Sequence, residues 1–361
     1  MSITTEPVPV DLDVAEPLPF EPRGPVSAML QRVLVAPVTS GLPADAPEIV
    51  GRALAETADI LRDDDLQLAL FLMYAIHYGS LPGLDVSWEW EPSLIAARGR
   101  IERAFEVALR SAAMTADLPE PERDAVARWL FDLTAPTAGP GMARFVAKKA
   151  SIEQLHEFLI LRTVYTLREA DPHSWAIPRL RGRAKAALVE IQSDEYGGGD
   201  PARVHATIFA QTVRGVGLDD AYGAYIDAVP ALVLASHNAM SLFGLHRRLR
   251  GAIVGHLAAF EMTSSIPNRS YGDGFRRLGF GTDVTWYFDE HVEADAVHEQ
   301  IAGRDLAGSL AEDEPELLPD ILFGARACLL LDDLVGDDVL AAWEAGRIAL
   351  RSSGIHPDRA V

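Results

Sequence analysis

Apolar residues recur at helical spacing along most of the chain, and no stretch shows the strict alternation that a half-buried strand requires. From Asp45 to Tyr78 the positions Leu54, Ala58, Leu61, Leu66, Ala69, Leu70 and Met73 mark helix. Ser80 to Pro92, with Pro82, Gly83, Trp88 and Trp90, reads as a loop; Ser93 to Met114 and Glu120 to Leu133 read as amphipathic helices. The run Ala135-Pro136-Thr137-Ala138-Gly139-Pro140-Gly141 is the strongest punctuation in the first half and marks a candidate boundary. Beyond it the pattern predicts helices at about 142–170 and 177–196, then a break at Tyr196-Gly197-Gly198-Gly199-Asp200-Pro201. Asp200 is placed to cap a helix opening on Pro201 and running to about Val216. Leu218 to Ala228, a long helix from Pro230 to Ser264, and a turn-rich connection from Pro267 to Gly281 follow. A helix from Val284 to Ala302 and two closing helices near 314–335 and 337–351 complete the reading. The expected class is all-α. Three regions are expected: an extended or disordered 1–25, rich in Pro and acidic residues; an accessory helical region at 26–138; and a core domain at 139–352.

A hydrophobic content of 48% over 361 residues is enough to bury a sizeable core. The formal net charge of −21 argues against a nucleic-acid partner, because no basic excess is available to neutralise phosphates. A single cysteine, Cys328, excludes an internal disulfide and a multi-cysteine zinc site, and suits a reducing compartment. The first residues carry neither a basic nor an apolar signal segment, and the longest apolar run, Leu68 to Ile76, is too short to cross a bilayer. A cytoplasmic protein with no membrane partner is the expectation.

The candidate chemistry lies in His291-Val292-Glu293-Ala294-Asp295-Ala296-Val297-His298. On a helix, His291, Asp295 and His298 share one stripe about two turns long, a nitrogen and oxygen donor set suited to a first-row transition metal. Helix-bundle metal sites draw further carboxylates and imidazoles from facing helices. Glu261 follows the apolar run 255–260, where an unpaired carboxylate would cost several kcal/mol. Glu195 ends one helix before the glycines, and His205 opens the next. In unbroken helix these two would stand about 15 Å apart, so the glycine break is needed to bring them to one centre.

Glu195, His205, Glu261 and His291-x3-Asp295-x2-His298, in that order, resemble the ligand pattern of the haem-oxygenase-like diiron oxidases and oxygenases. The resemblance covers roughly 142–305. It implies a haem-oxygenase-like helical bundle of about seven core helices without haem. Two irons per chain would be held by Glu195, His205, Glu261, His291, Asp295 and His298. Dioxygen is the implied co-substrate, and manganese is the competing metal. It also implies an external electron donor and a small-molecule substrate, amino-acid-like or fatty-acid-like. The implied reactions are N-oxygenation, oxidative decarboxylation and C–C cleavage. One ligand helix is expected to be flexible and the iron labile. Some members carry a Glu three residues before the first His; Ala202 stands there, so the version without it is expected.

Other residues have plainer readings. Glu169, beside Arg168 and Asp171, is the main rival carboxylate; it reads as a solvated helix end ahead of the alternative, a metal ligand or a residue that orients one. His156 and Glu157 diverge by about 100° and so do not share an ion. His237, His246 and His256 read as core or interface histidines, His173 as a turn residue, and Tyr287 as core. Arg247, Arg248, Arg250 and Arg269 read as solvated or salt-bridged, and Trp88 and Trp90 as packing for the accessory region. That region covers the core or forms a homodimer interface. The competing functions are a cofactor-free enzyme on a similar bundle and a non-enzymatic helical protein in which 291–298 is a solvated face.

Overall fold

The computed structural model describes residues 18–114, 117–136 and 141–351, except for the side chains of 293–297. Regular structure among the described residues is helical throughout, with no strand. The first half holds α1 (Pro25–Leu34), α2 (Ala46–Glu56), α3 (Asp64–Tyr78), α4 (Pro92–Ala112) and α5 (Arg123–Leu133). Then come α6 (Met142–Lys148), α7 (Ile152–Thr166), α8 (Asp171–Ser174), α9 (Gly182–Glu195) and α10 (His205–Gly215). The rest is α11 (Ala231–Leu245), α12 (Arg250–Arg277), α13 (Thr282–Gln300), a π-helical segment (Ile301–Gly308), α14 (Ser309–Asp313) and α15 (Leu318–Glu344).

Local chemistry sets several boundaries. Asp63 caps α3 by accepting from the Leu66 amide at 2.9 Å, and Gly79 ends it at φ +64°. Ser151 and Gln154 form a reciprocal capping box at the start of α7. The Asp65 carboxylate accepts from the amides of Val26 and Ser27 at 2.9 and 2.7 Å, pinning α1 to α3.

The largest departures from the periodicity lie in the second half. The stretch expected as one helix from Pro230 to Ser264 divides at His246, whose backbone is extended and whose Nε2 lies 2.9 Å from Glu102 Oε2. The expected turn region after Pro267 is instead the continuation of α12 to Arg277. Proline removes one amide donor there, but α12 packs against α6, α13 and α15 and continues. The two expected closing helices are one, α15, which passes through Gly336. The helix expected from Pro201 begins only at His205.

The run Leu68–Ile76 is buried within the chain, where α3 packs on α1 and α11. Its apolar cluster continues through α11, α12 and α15. Trp88 is buried and donates to Ala36 O at 2.8 Å, whereas Trp90 is 66% exposed. The α12–α15 crossing is especially close. A Cβ at Gly255 would stand 1.7 Å from Ile321 O, and one at Gly324 would stand 1.9 Å from Ala252 O. No described helix is long and apolar enough to cross a membrane.

Candidate metal centre

The glycine loop after α9 closes the gap that an uninterrupted helix would leave. Gly197, Gly198 and Gly199 take φ of +71°, +60° and +92°, a left-handed run open to glycine. A Cβ at Gly197 would also lie 2.7 Å from the backbone of Arg203 and Val204. The turn brings His205 Nδ1 to 3.0 Å from Glu195 Oε2.

Two groups of buried donors result. Glu169, Glu195, His205 and His291 each offer an atom within 4.8 Å of the others, and so do Glu195, Glu261 and His298. Glu195 is common to both. The structure therefore brings together five of the six residues expected from the sequence. Asp295 lies on α13, but its side chain is outside the described residues.

Glu169, the rival carboxylate read first as a solvated helix end, lies at the site. It is buried, not solvated, and Tyr287 Oη donates to both its oxygens at 2.9 and 2.8 Å. Its charged neighbour Arg168 misled the reading. That side chain is itself buried, stacked 3.6 Å from the centre of the Tyr78 ring and bonded to His237. The available signal was spacing. Arg162, Tyr165, Thr166 and Glu169 fall at i, i+3, i+4 and i+7, one stripe of α7 and the turn after it. His173 is likewise buried, in α8, with Nε2 3.2 Å from His256 Nδ1.

Neighbours orient the imidazoles. His291 Nδ1 donates to Tyr287 O at 2.8 Å, leaving Nε2, 3.7 Å from Glu169 Oε1, as the nitrogen turned toward the carboxylates. His298 Nε2 lies 2.9 Å from Asp194 Oδ2, while Nδ1 lies 3.3 Å from Glu261 Oε2. A carboxylate behind an imidazole is the usual arrangement for a metal-binding histidine.

Three features fit a bound metal. The Nδ1 atoms of His205 and His298 face carboxylates but have no aligned hydrogen-bond partner among the described residues. A space of about 10 Å³ lies between Glu169, Glu195, Glu261 and His291, with room for one small occupant. Three buried carboxylates, Glu169, Glu195 and Glu261, lie among these histidines, a concentration of negative charge that bound divalent metal would offset.

Protonated imidazoles balance part of this charge in the metal-free chain. Burial alone would lower the His298 pKa, but Glu261 and Asp194 reverse that and raise it to about 9. Burial likewise opposes charge on His205 and Glu195, yet their mutual attraction raises the first and lowers the second. The His298 value lies above its unfolded value of about 6.5. Its stabilisation of the metal-free fold is therefore full below about 6.5 and lost as pH rises through about 9. A metal taking His298 Nδ1 must displace that proton. Calorimetric titration of the stripped protein with a divalent metal, in buffers of different ionisation enthalpy, is expected to show proton release near neutral pH. The part due to His298 should disappear above about pH 9. Release that does not change with pH would contradict the assignment.

A larger cavity of about 160 Å³ shares Glu169 and His291 with this centre and is also lined by Tyr287, Arg162, Asn268 and Asp332. Removing the Tyr287 hydroxyl leaves the cavity intact but frees Glu169. Tyr287→Phe is expected to weaken metal binding by about 10- to 100-fold with little change in helical content. Anaerobic titration with Fe(II) measures it.

Residues 156–333 match the model of a family described as iron-containing redox enzymes. The chain is also 29% identical over 173 residues to the nitrosourea synthase of Streptomyces achromogenes subsp. streptozoticus. That alignment covers 47% of this chain and 36% of the synthase, so the match spans about a third of the relative's length. Every member of the two donor groups falls within the family match. Over residues 156–333 the chain is thus similar to the iron-containing redox enzymes, and its all-α fold is haem-oxygenase-like.

Proposed function

We propose that the protein is a non-haem diiron oxidase or oxygenase that uses dioxygen to oxidise a small organic molecule held in the 160 Å³ cavity. The observation that carries this reading is the sharing of Glu195 between two buried donor groups. Glu169, His205 and His291 would hold one iron; Glu261 and His298, with Asp295, would hold the other; Glu195 would serve both. When bound, the iron pair supplies electrons for dioxygen activation, and an external donor restores them. The residues of the chain do the rest. Tyr287 fixes Glu169 through its hydroxyl, Asp194 fixes His298, and the Tyr287 carbonyl fixes the tautomer of His291. Phe158, Leu161, Val164 and Phe260 give the cavity apolar wall that excludes water from the reacting end.

Anaerobic Fe(II) titration of the metal-stripped chain, followed by a pulse of air, tests the proposal. Two irons per chain with oxygen consumption dependent on them are expected. Failure to bind iron, or equal oxygen consumption without it, would overturn the reading. A parallel Mn(II) titration separates the two metals by the activity each supports.

A further inference from the structure

Glu195 and Glu261 stand on α9 and α12, but Glu169 stands in the turn between α7 and α8. The residue after it, Ala170, is the one non-glycine residue at positive φ among the described residues, with φ +76° and ψ −30°. An L side chain is strained there, so contacts from elsewhere must hold the turn. Helix α9 supplies them. Gln192 Nε2 donates to Ala170 O and to Ser174 Oγ, each at 2.9 Å. A carbonyl oxygen only accepts, so the amide orientation of Gln192 is fixed. Tyr196 Oη donates to Asp171 Oδ1 at 2.8 Å and lies 2.9 Å from Ser174 Oγ. The protons then run one way, from Gln192 to Ser174, from Ser174 to Tyr196 and from Tyr196 to Asp171. Gln192 and Tyr196 stand one helical turn apart and bracket Glu195. Gln192, Ala170, Glu169 and Glu195 line the same small space.

We propose that Gln192 and Tyr196 are positioning residues that staple the strained turn at Ala170 to α9 and so hold Glu169 beside Glu195. The inference rests on the proposed diiron function. Strain and staple oppose one another. Freed from α9, Ala170 returns to negative φ and swings Glu169 away; held, the turn keeps donor oxygens of Glu169 and Glu195 within 4.8 Å although like charges repel. Tyr287 grips the Glu169 carboxylate, but that bond does not fix the backbone from which the carboxylate hangs. The Ala170 carbonyl also accepts from the amides of His173 and Ser174, both at 3.1 Å, so losing Gln192 orphans no acceptor there. What is lost is the tie between two ligand-bearing segments that are distant in sequence. Glycine would take the Ala170 conformation without strain, so the staple matters only while a side chain occupies that position.

Anaerobic Fe(II) titration of the metal-stripped full-length chain tests the staple without recourse to activity. Gln192→Met removes both amide bonds at similar volume and should weaken binding of one iron by about 10- to 100-fold. Tyr196→Phe should act in the same direction. Two further results separate positioning from a general loss of structure. In the Glu169→Ala background, Gln192→Met should change the affinity of the remaining iron by less than about twofold, because the staple acts through Glu169. Adding Ala170→Gly to Gln192→Met should recover about fivefold or more, because the strain that pulls the turn away is gone. Hydrogen exchange across 168–174 in the metal-free chain should also be faster in Gln192→Met than in wild type. The staple is overturned if Gln192→Met binds two irons as tightly as wild type, or weakens binding equally with and without Glu169. It is overturned too if Ala170→Gly brings no recovery, or if exchange across the turn is unchanged. A wild-type chain that takes up no iron sinks the oxidase reading, whatever the exchange shows. Two irons in wild type with any of the four overturning results sinks the staple alone.

Discussion

Glu195→Ala protein, stripped and titrated anaerobically, is expected to lose tight iron binding at both positions, whereas Glu169→Ala and Glu261→Ala each lose one. The reason is geometric. Glu195 alone belongs to both donor groups, while Glu169 belongs to one and Glu261 to the other. Losing a residue that merely orients a ligand costs about 10- to 100-fold in metal affinity, and removing a shared ligand should exceed that at each position. Helical content should stay near wild type, because α9 ends at Glu195 and its buried apolar face, Ala184, Ala187, Leu188 and Ile191, is untouched. Metal analysis after desalting gives the stoichiometry, and circular dichroism gives the control. Two irons retained by Glu195→Ala, with both lost from Glu261→Ala, would refute the shared-ligand assignment.

Gly255→Ala is expected to be among the most destabilising single substitutions in the chain. The added methyl would stand 1.7 Å from Ile321 O and 2.6 Å from its carbonyl carbon, so backbone must move. Overpacking of this kind costs about 1–3 kcal/mol, and more where no flexible side chain can yield. At this chain length each kcal/mol lowers the melting temperature by roughly 2–4 °C. Gly324→Ala should behave similarly from the other helix, since its methyl meets Ala252 O at 1.9 Å. Gly336→Ala, on α15 with open space around it, should be neutral or slightly stabilising. Because α12 also carries Glu261 and Asn268, the Gly255 variant should show weaker iron uptake even where it remains folded. Thermal melts of the three variants against wild type decide the matter; equal melting temperatures for Gly255→Ala and Gly336→Ala would contradict the close crossing.

The sequence is readable where one physical signal dominates. The 3.6-residue periodicity gives an all-helical chain, and the spacing of His291 and His298 places both on one face of α13. Glu261, after six residues of small or apolar character apart from His256, reads as a carboxylate needing a partner, and it is buried. Reading fails where tertiary contacts override local preference. Pro267 suggests a helix end, but packing on three sides carries α12 through it. His246 sits in an apolar helical pattern, but Glu102, distant in sequence, captures it where the backbone is extended. Glu169 resembles a solvated end because its neighbours are charged, and that outweighed its helical spacing from Arg162, Tyr165 and Thr166; in the fold Arg168 turns to Tyr78 while Glu169 turns inward to Tyr287.

Under the proposed function, the single carboxylate between the two donor groups would make metal loading a linked equilibrium. The first cation would orient Glu195 and relieve repulsion among the carboxylates, but it would also withdraw electron density from the oxygen left for the second. Whichever effect is larger sets the sign of the cooperativity. Linkage requires the influence to be equal in both directions, whichever position fills first. A variant altered only at Glu169 should therefore change the affinity measured at the Glu261–His298 position, although that substitution removes none of its donors.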